Sequence, residues 1–163
     1  MLRLAVFLGN PGEAYRRNRH NAGRLLAEKL PFYRDLVWRK KFKGLFASAS
    51  FAADGESAEM LLLLPETFMN ASGESARAAA AFYRLSASSV IVVHDELELP
   101  LGTAGFKYGG GLGGHNGLRS VKECLGTADF WRLRVGIGRP AGRLPGEGGP
   151  PGSGGDVYGW VLS

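Results

Sequence analysis

A single cysteine, Cys124, occurs in the 163 residues. That scarcity excludes an internal disulfide and any multi-cysteine metal site, and it suits a reducing cytoplasm. Cys124 falls in the helical-looking segment Leu118 to Leu125, where a small core filler is expected. Long apolar runs are missing as well. No stretch approaches the roughly 20 residues that a membrane span requires, so the expectation is a soluble protein of the cytoplasm with no membrane contact. Met1 to Leu8 opens like a signal peptide, but Gly9-Asn10-Pro11 interrupts it before a full apolar core or a small-residue cleavage site is reached. No serine or cysteine stands in a nucleophile motif such as G-x-S-x-G. A P-loop lysine is also lacking, because His115 and Asn116 follow Gly114 where Lys and Ser or Thr would stand. Gly109 to Gly114 formally satisfies G-x-G-x-x-G, yet so glycine-dense a loop matches many patterns by chance, and close approach of backbone to a bound chain explains it better. Histidines number three, His20, His94 and His115. With Asp95 they are the right ligand types for a metal, but none of the close spacings of helical zinc ligands is present. Neither a metal nor a cofactor is expected.

What the chain does contain is ordinary in bulk and uneven in detail. A composition 45% hydrophobic and 21% charged fits one globular domain spanning residues 1–163. The net charge of +5 is concentrated near the start. Residues 1–43 carry eleven Lys and Arg (Arg3, Arg16, Arg17, Arg19, Arg24, Lys29, Arg34, Arg39, Lys40, Lys41, Lys43) against Glu13, Glu28 and Asp35. Such clustering serves a polyanion-binding face, since each neutralised phosphate releases counterions. Trp38-Arg39-Lys40-Lys41-Phe42-Lys43 interleaves aromatics with these cations, and its alternative role is a solvated edge that discourages aggregation.

The apolar patterning alternates between strand and helix. Leu2 to Leu8 reads as a buried strand, and Asn21 to Tyr33 as a helix with Leu25, Leu26 and Leu30 at helical spacing. Leu45 to Ala52 and Met60 to Leu64 read as strands paired across Asp54-Gly55. The alanine-rich Ser75 to Tyr83 is a helix by propensity. Val90 to Val93 is a β-branched run suited to a central strand buried on both faces. Thr103 to Tyr108 and Trp131 to Ile137 add two strands, with a helix from Asn116 to Leu125 between them. The pattern predicts an α/β fold: one three-layer domain whose mixed β-sheet is flanked by helices. Residues 139–155, crowded with Gly and Pro, are expected to form a flexible loop.

Four distant segments offer polar groups suited to hydrolysis of an ester or amide. Asn10 lies in the first, which runs on to His20, and Asn70, Asp95 and Asn116 lie in the others. With no nucleophilic side chain in a motif, water is the expected nucleophile. Histidine is the natural base, its ordinary pKa of about 6.5 leaving it neutral yet basic in the cell. An aspartate on the far ring nitrogen would fix the tautomer and favour the imidazolium. Side-chain amides can donate to a carbonyl or oxyanion and also accept from a peptide N–H.

In order along the chain stand Leu8-Gly9-Asn10-Pro11-Gly12-Glu13-Ala14-Tyr15, Arg19-His20-Asn21-Ala22-Gly23, Pro65 to Gly73, Asp95 to Gly102 and Gly109 to Leu118. Together they resemble the bacterial peptidyl-tRNA hydrolases, and the likeness runs from about Leu2 to Arg139. The resemblance implies hydrolysis of the ester joining a peptide to the 3' ribose of tRNA, which recycles tRNA released by stalled ribosomes. It implies that His20 is the general base, that Asp95 holds its basic form, and that Asn10 distinguishes a blocked amino group from a free one. Tyr15, Phe68, Asn70 and Asn116 would bind the peptide and terminal nucleotide, and Lys107 and Arg134 would lie near the tRNA 5' phosphate. The protein would act as a monomer on peptidyl-tRNA. Departures from the family pattern are Asn18, His94 in place of the common first aspartate, Gly105 where another cation is frequent, and an end at Ser163 without the family's terminal helix. The last predicts weaker tRNA affinity rather than lost chemistry. Two rival readings stand beside this one: a non-catalytic RNA-binding protein on the same fold, and a metal-dependent hydrolase.

Overall fold

The structure, a computed structural model, describes residues 1–139. Seven strands form one sheet: β1 (Leu4–Phe7), β2 (Arg39–Lys41), β3 (Gly44–Ala53), β4 (Glu56–Pro65), β5 (Val90–Glu96), β6 (Ala104–Tyr108) and β7 (Trp131–Gly136). Three α-helices, α1 (Ala22–Glu28), α2 (Ser72–Phe82) and α3 (Asn116–Leu125), pack on it. The strand order is β2-β3-β4-β1-β5-β7-β6. Strands β4, β1, β5 and β7 run parallel, while β2, β3 and β6 pair antiparallel to their neighbours. The expected mixed α/β sheet is therefore present.

Period-2 side-chain alternation splits the apolar strands between two layers. Leu4, Val6, Leu61, Leu63, Val90 and Val92 face α2 and α3, meeting Ala76, Ala79, Leu118 and Val121. Ala5, Phe7, Leu62, Leu64, Ile91 and Val93 face the other way, onto Ala27 of α1. Both faces of the central strands are covered, which is why β1 and β5 read as unbroken apolar runs. Each fully buried Leu or Val in these layers contributes about 1.5–3 kcal/mol.

Several boundaries differ from the sequence expectation. The first helix ends at Glu28 instead of Tyr33. Pro31 explains the early stop, because its ring disfavours helical backbone at Leu30 and its nitrogen cannot donate. The chain instead closes short turns through Lys29 N to Leu26 O and Leu30 N to Ala27 O. Helix α2 begins at Ser72, three residues before Ser75. Strand β5 runs on through His94 and Asp95 to Glu96, so both residues belong to the strand rather than to the loop after it. Strand β2 is an unforeseen three-residue edge element inside the basic run. The hairpin across Asp54-Gly55 is present with Ala53 opposite Glu56, and φ values of 51° and 82° mark the left-handed turn that suits a two-residue connection. The Gly/Pro-rich stretch beyond Arg139 and the segment after it lie outside the described residues.

Candidate active site

The parallel strands deliver their polar residues to one rim. Asn10 follows β1, Asp95 is the penultimate residue of β5, and the turn after β4 leads through Phe68 to Asn70. Open α/β sheets bind ligands at this carboxyl end. Close helix packing brings the remaining groups there. Gly23, in the first turn of α1, sits so near the end of β5 that a Cβ would stand 2.4 Å from the Val93 carbonyl oxygen. A Cβ on Gly117 would meet Met69 Sδ at 2.5 Å. Only glycine lets the starts of α1 and α3 approach the sheet this closely.

Asp95 is the hub. Its Oδ1 lies 2.8 Å from His20 Nδ1 and 2.7 Å from His115 Nε2. The carboxylate side chain is 3% exposed, His20 14% and His115 9%. Protons can be placed from the backbone. His115 is the N-cap of α3, and its Nδ1 accepts from Gly117 N at 3.1 Å and Leu118 N at 3.2 Å. A nitrogen that accepts two N–H groups carries a lone pair, so in the neutral ring the proton resides on Nε2, which donates to Asp95. His20 also donates to that oxygen through Nδ1–H, leaving its Nε2 lone pair for a solvent or substrate proton. Burial, the largest single influence on Asp95, pushes its carboxyl upward. The charge attraction and hydrogen bonding of His115 and His20 outweigh it, and the group lies well below the usual carboxylate range.

Asn10 is held as firmly. Its N–H donates to Asn21 Oδ1 (2.8 Å), its carbonyl accepts from Asn21 Nδ2 (2.9 Å), and its own Oδ1 accepts from Met69 N (2.7 Å). With Oδ1 engaged, the side-chain Nδ2 remains as a donor with no partner among the described residues. Asn70, Asn116 and Phe68 are exposed at the same rim, Phe68 by 63%, and Tyr15 is half-buried at the end of a short turn after Asn10. On the far strands, Lys107 is exposed and Arg134 sits 3.9 Å from Glu96 with its Nε buried and unpartnered. Both face the α2 and α3 side, since Lys107 pairs with Arg132 and Arg132 with Val92 of that layer, while Arg134 stands two residues further along β7.

The His20, Asp95 and His115 ligand atoms lie within 4.8 Å of one another, close enough to raise a metal. The donor chemistry does not fit one. To bind a cation, His115 Nε2 would have to give up its proton, which would then occupy Nδ1 and oppose the N–H groups of Gly117 and Leu118. Helix α3 thus fixes the wrong tautomer for a ligand.

Sequence reading carries His115 only as a metal candidate and gives Asn21 and Met69 no role at all. Its position immediately before a helix is the one available signal for His115. His94 is the third histidine and faces elsewhere: Nδ1 donates to the Asp95 carbonyl (2.7 Å), its ring stands edge-on to His115 at 5.1 Å, and it is 1% exposed. Burial, aided by the neighbouring His115, lowers it to about 3. Between that value and the ordinary 6.5 the unfolded chain binds a proton that the folded one refuses. Stability is therefore full above about pH 6.5 and is lost as pH falls, by up to about 1.4 kcal/mol per unit from this group. Urea unfolding from pH 6.0 to 4.5 should show this slope in the wild type and a flatter one in His94→Gln. Equal slopes would refute it.

The peptidyl-tRNA hydrolase family model matches residues 4–163. The chain belongs to that family. A peptidyl-tRNA hydrolase of Treponema pallidum is 56% identical over 139 residues, which are 85% of this chain and 68% of the relative. One from Rhodospirillum centenum is 46% identical over 163 residues, 99% of this chain and 65% of the relative. The chain thus spans about two thirds of the length of these relatives. The crystal structure of peptidyl-tRNA hydrolase from Acinetobacter baumannii superposes with a TM-score of 0.81 at 37% identity, covering 99% of this chain and 76% of that one. The sheet order and helix placement described above are accordingly a peptidyl-tRNA hydrolase fold. Among the described residues, no helix is long and apolar enough to cross a membrane.

Proposed function

We propose that the chain hydrolyses the ester between a peptide, or an N-blocked aminoacyl group, and the 3' ribose of tRNA, with water as nucleophile. The observation that carries this reading is the proton arrangement around Asp95, which leaves His20 Nε2 as a base at the rim beside Asn10. His20 Nε2 takes a proton from water as the water oxygen attacks the ester carbonyl. The imidazolium then returns that proton to the departing 3' oxygen. Asp95, accepting from Nδ1–H, favours the charged ring while it exists. The exposed amides of Asn70 and Asn116 supply donors for the developing oxyanion and for the peptide backbone, and each such donor contributes about 10²- to 10³-fold. Phe68 and Tyr15 offer aromatic faces for the terminal nucleotide. Lys107 and Arg134 receive the 5' phosphate, to which the two cations can donate charge-assisted hydrogen bonds.

Asn10 explains selectivity. Because Oδ1 is occupied by Met69 N–H, the side chain presents only a donor. An acyl carbonyl on the blocked nitrogen can accept from it, whereas a free ammonium offers only more donors and meets it unfavourably. The enzyme works as a cytoplasmic monomer, without a metal. Release of tRNA from N-acetyl-aminoacyl-tRNA, run beside the unblocked ester in chelator, tests the reading. Cleavage of the blocked ester alone is expected, with the preference shrinking in Asn10→Ala. Intact ester despite salt-sensitive tRNA binding would favour a non-catalytic RNA-binding protein, and loss of cleavage in chelator would favour a metal enzyme.

A further inference from the structure

The basic run left open by the sequence forms a fixed ridge. Arg39 to Lys41 make β2, the outermost strand, and all three are exposed. Strand β2 returns into β3 through Phe42-Lys43, both at φ 55°. Left-handed backbone at two non-glycine residues is strained and persists only where the surroundings enforce it. They do so here. Ser75 Oγ donates to the Phe42 carbonyl (2.6 Å), Glu66 N donates to the Lys43 carbonyl (3.0 Å), and Lys43 Nζ meets Glu74 at 2.7 Å. Phe42 packs on Phe46 and Phe82, with ring centroids 5.2 and 5.4 Å apart. Lys41 Nζ lies 3.9 Å over the Phe82 ring, which is 61% exposed. Among the described residues, no carboxylate pairs with Arg39, Lys40 or Lys41.

Register places this ridge in relation to the site. Lys41 pairs with Gly44 and Gly44 with Pro65, the residue that leads into the Phe68–Asn70 turn. Arg39 lies opposite Phe46, which faces α2, so Arg39 and Lys41 share that face about 7 Å apart. Tracing pairs across the sheet, Arg39 lies in the row of Val92, Arg132 and Lys107, and Lys41 in the row of His94 and Arg134. Two cation pairs therefore stand in the same rows, on the same face, at opposite edges. Six strand spacings, about 29 Å, separate Arg39 from Lys107 on the edge strand β6, and five, about 24 Å, separate Lys41 from Arg134 on the adjoining β7. A terminal nucleotide cannot touch both. The body of a tRNA can.

We infer that Arg39 and Lys41 form a second contact for the RNA sugar-phosphate backbone, which holds the tRNA body at the edge opposite Lys107 and Arg134. This rests on the tRNA substrate proposed above. A backbone contact of this kind neutralises phosphates without reading bases, so it shows itself in the salt dependence of affinity. The test titrates deacylated tRNA against salt for the wild type, for Arg39→Gln with Lys41→Gln, and for a charge-matched control, Arg3→Gln with Lys122→Gln, at cations away from the rim. The ridge variant should lose about tenfold in affinity at low salt, and its slope of log K against log salt should shrink by about two, near 0.9 for each lost phosphate contact. The control should keep its slope. Ridge and control variants that behave alike would overturn the inference. So would unchanged tRNA binding in a ridge variant that has lost binding to polyglutamate, which would assign the ridge to an acidic peptide. No ester cleavage enters this measurement, so a protein that binds tRNA through the ridge yet fails to hydrolyse would sink the enzymatic reading alone.

Discussion

His20→Ala should lower kcat/KM on N-acetyl-aminoacyl-tRNA by about 10²- to 10⁴-fold, the contribution of a positioned general base. The fall should lie in kcat, because the substrate contacts assigned to Phe68, Asn70, Asn116, Lys107 and Arg134 do not involve this ring. His20 is part-buried, and among the described residues its side chain hydrogen-bonds to Asp95, so truncation removes the base without dismantling the sheet. Hydroxide from solvent should then replace the lost base, and the residual rate should climb about tenfold per pH unit in alkaline buffer. A variant within a factor of ten of the wild type would remove His20 from the chemistry.

Asp95→Asn should cost a similar factor, about 10²- to 10⁴-fold in kcat, for a different reason. Asp95 Oδ1 accepts from both His20 Nδ1 and His115 Nε2. An amide oxygen has two lone pairs and can still accept from both rings, so neither tautomer need change. What the amide lacks is the negative charge. The imidazolium that forms at His20 as water is deprotonated then loses the charge that favours it, and the rate falls while the ring stays in place. Steady-state kinetics should show kcat reduced and KM nearly unchanged. A large rise in KM with kcat preserved would mean that Asp95 binds substrate instead.

Much of this fold was legible in the chain. The Val90–Val93 run, the alanine-rich α2 and the helix from Asn116 to Leu125 each carry a local signal strong enough to survive tertiary packing. Strand β2 was not legible, because three consecutive cations show no apolar alternation and owe their pairing to β3 alone. The end of α1 depended on weighing Pro31 against well-spaced leucines, and the local backbone restriction prevailed over periodicity.

The site divides in the same way. His20 and Asp95 could be named as a base and its partner from residue type and motif, but their contact spans 75 residues and exists because β5 lies beside β1 with α1 docked against both. His115 was hidden for a more specific reason. Histidine is not among the preferred N-cap residues, and its cap bonds matter here because they settle which ring nitrogen keeps the proton. Asn21 likewise acts only through its two bonds to the Asn10 backbone, a pairing that no spacing rule announces. The ridge at Arg39 and Lys41 was visible as charge, while its alignment with Lys107 and Arg134 needed the strand register.

The proposed hydrolysis requires one carboxylate oxygen and the start of α3 together to leave His20 Nε2 as the unprotonated, solvent-facing nitrogen. Nitrogen-15 NMR of the imidazoles at neutral pH tests it most directly, with His20→Gln and His115→Gln to assign the signals. The expected result is His20 protonated on Nδ1 and His115 on Nε2, unchanged by chelator or added zinc. His115 carrying its proton on Nδ1, or a His20 Nε2 signal already protonated, would contradict the mechanism at its first step.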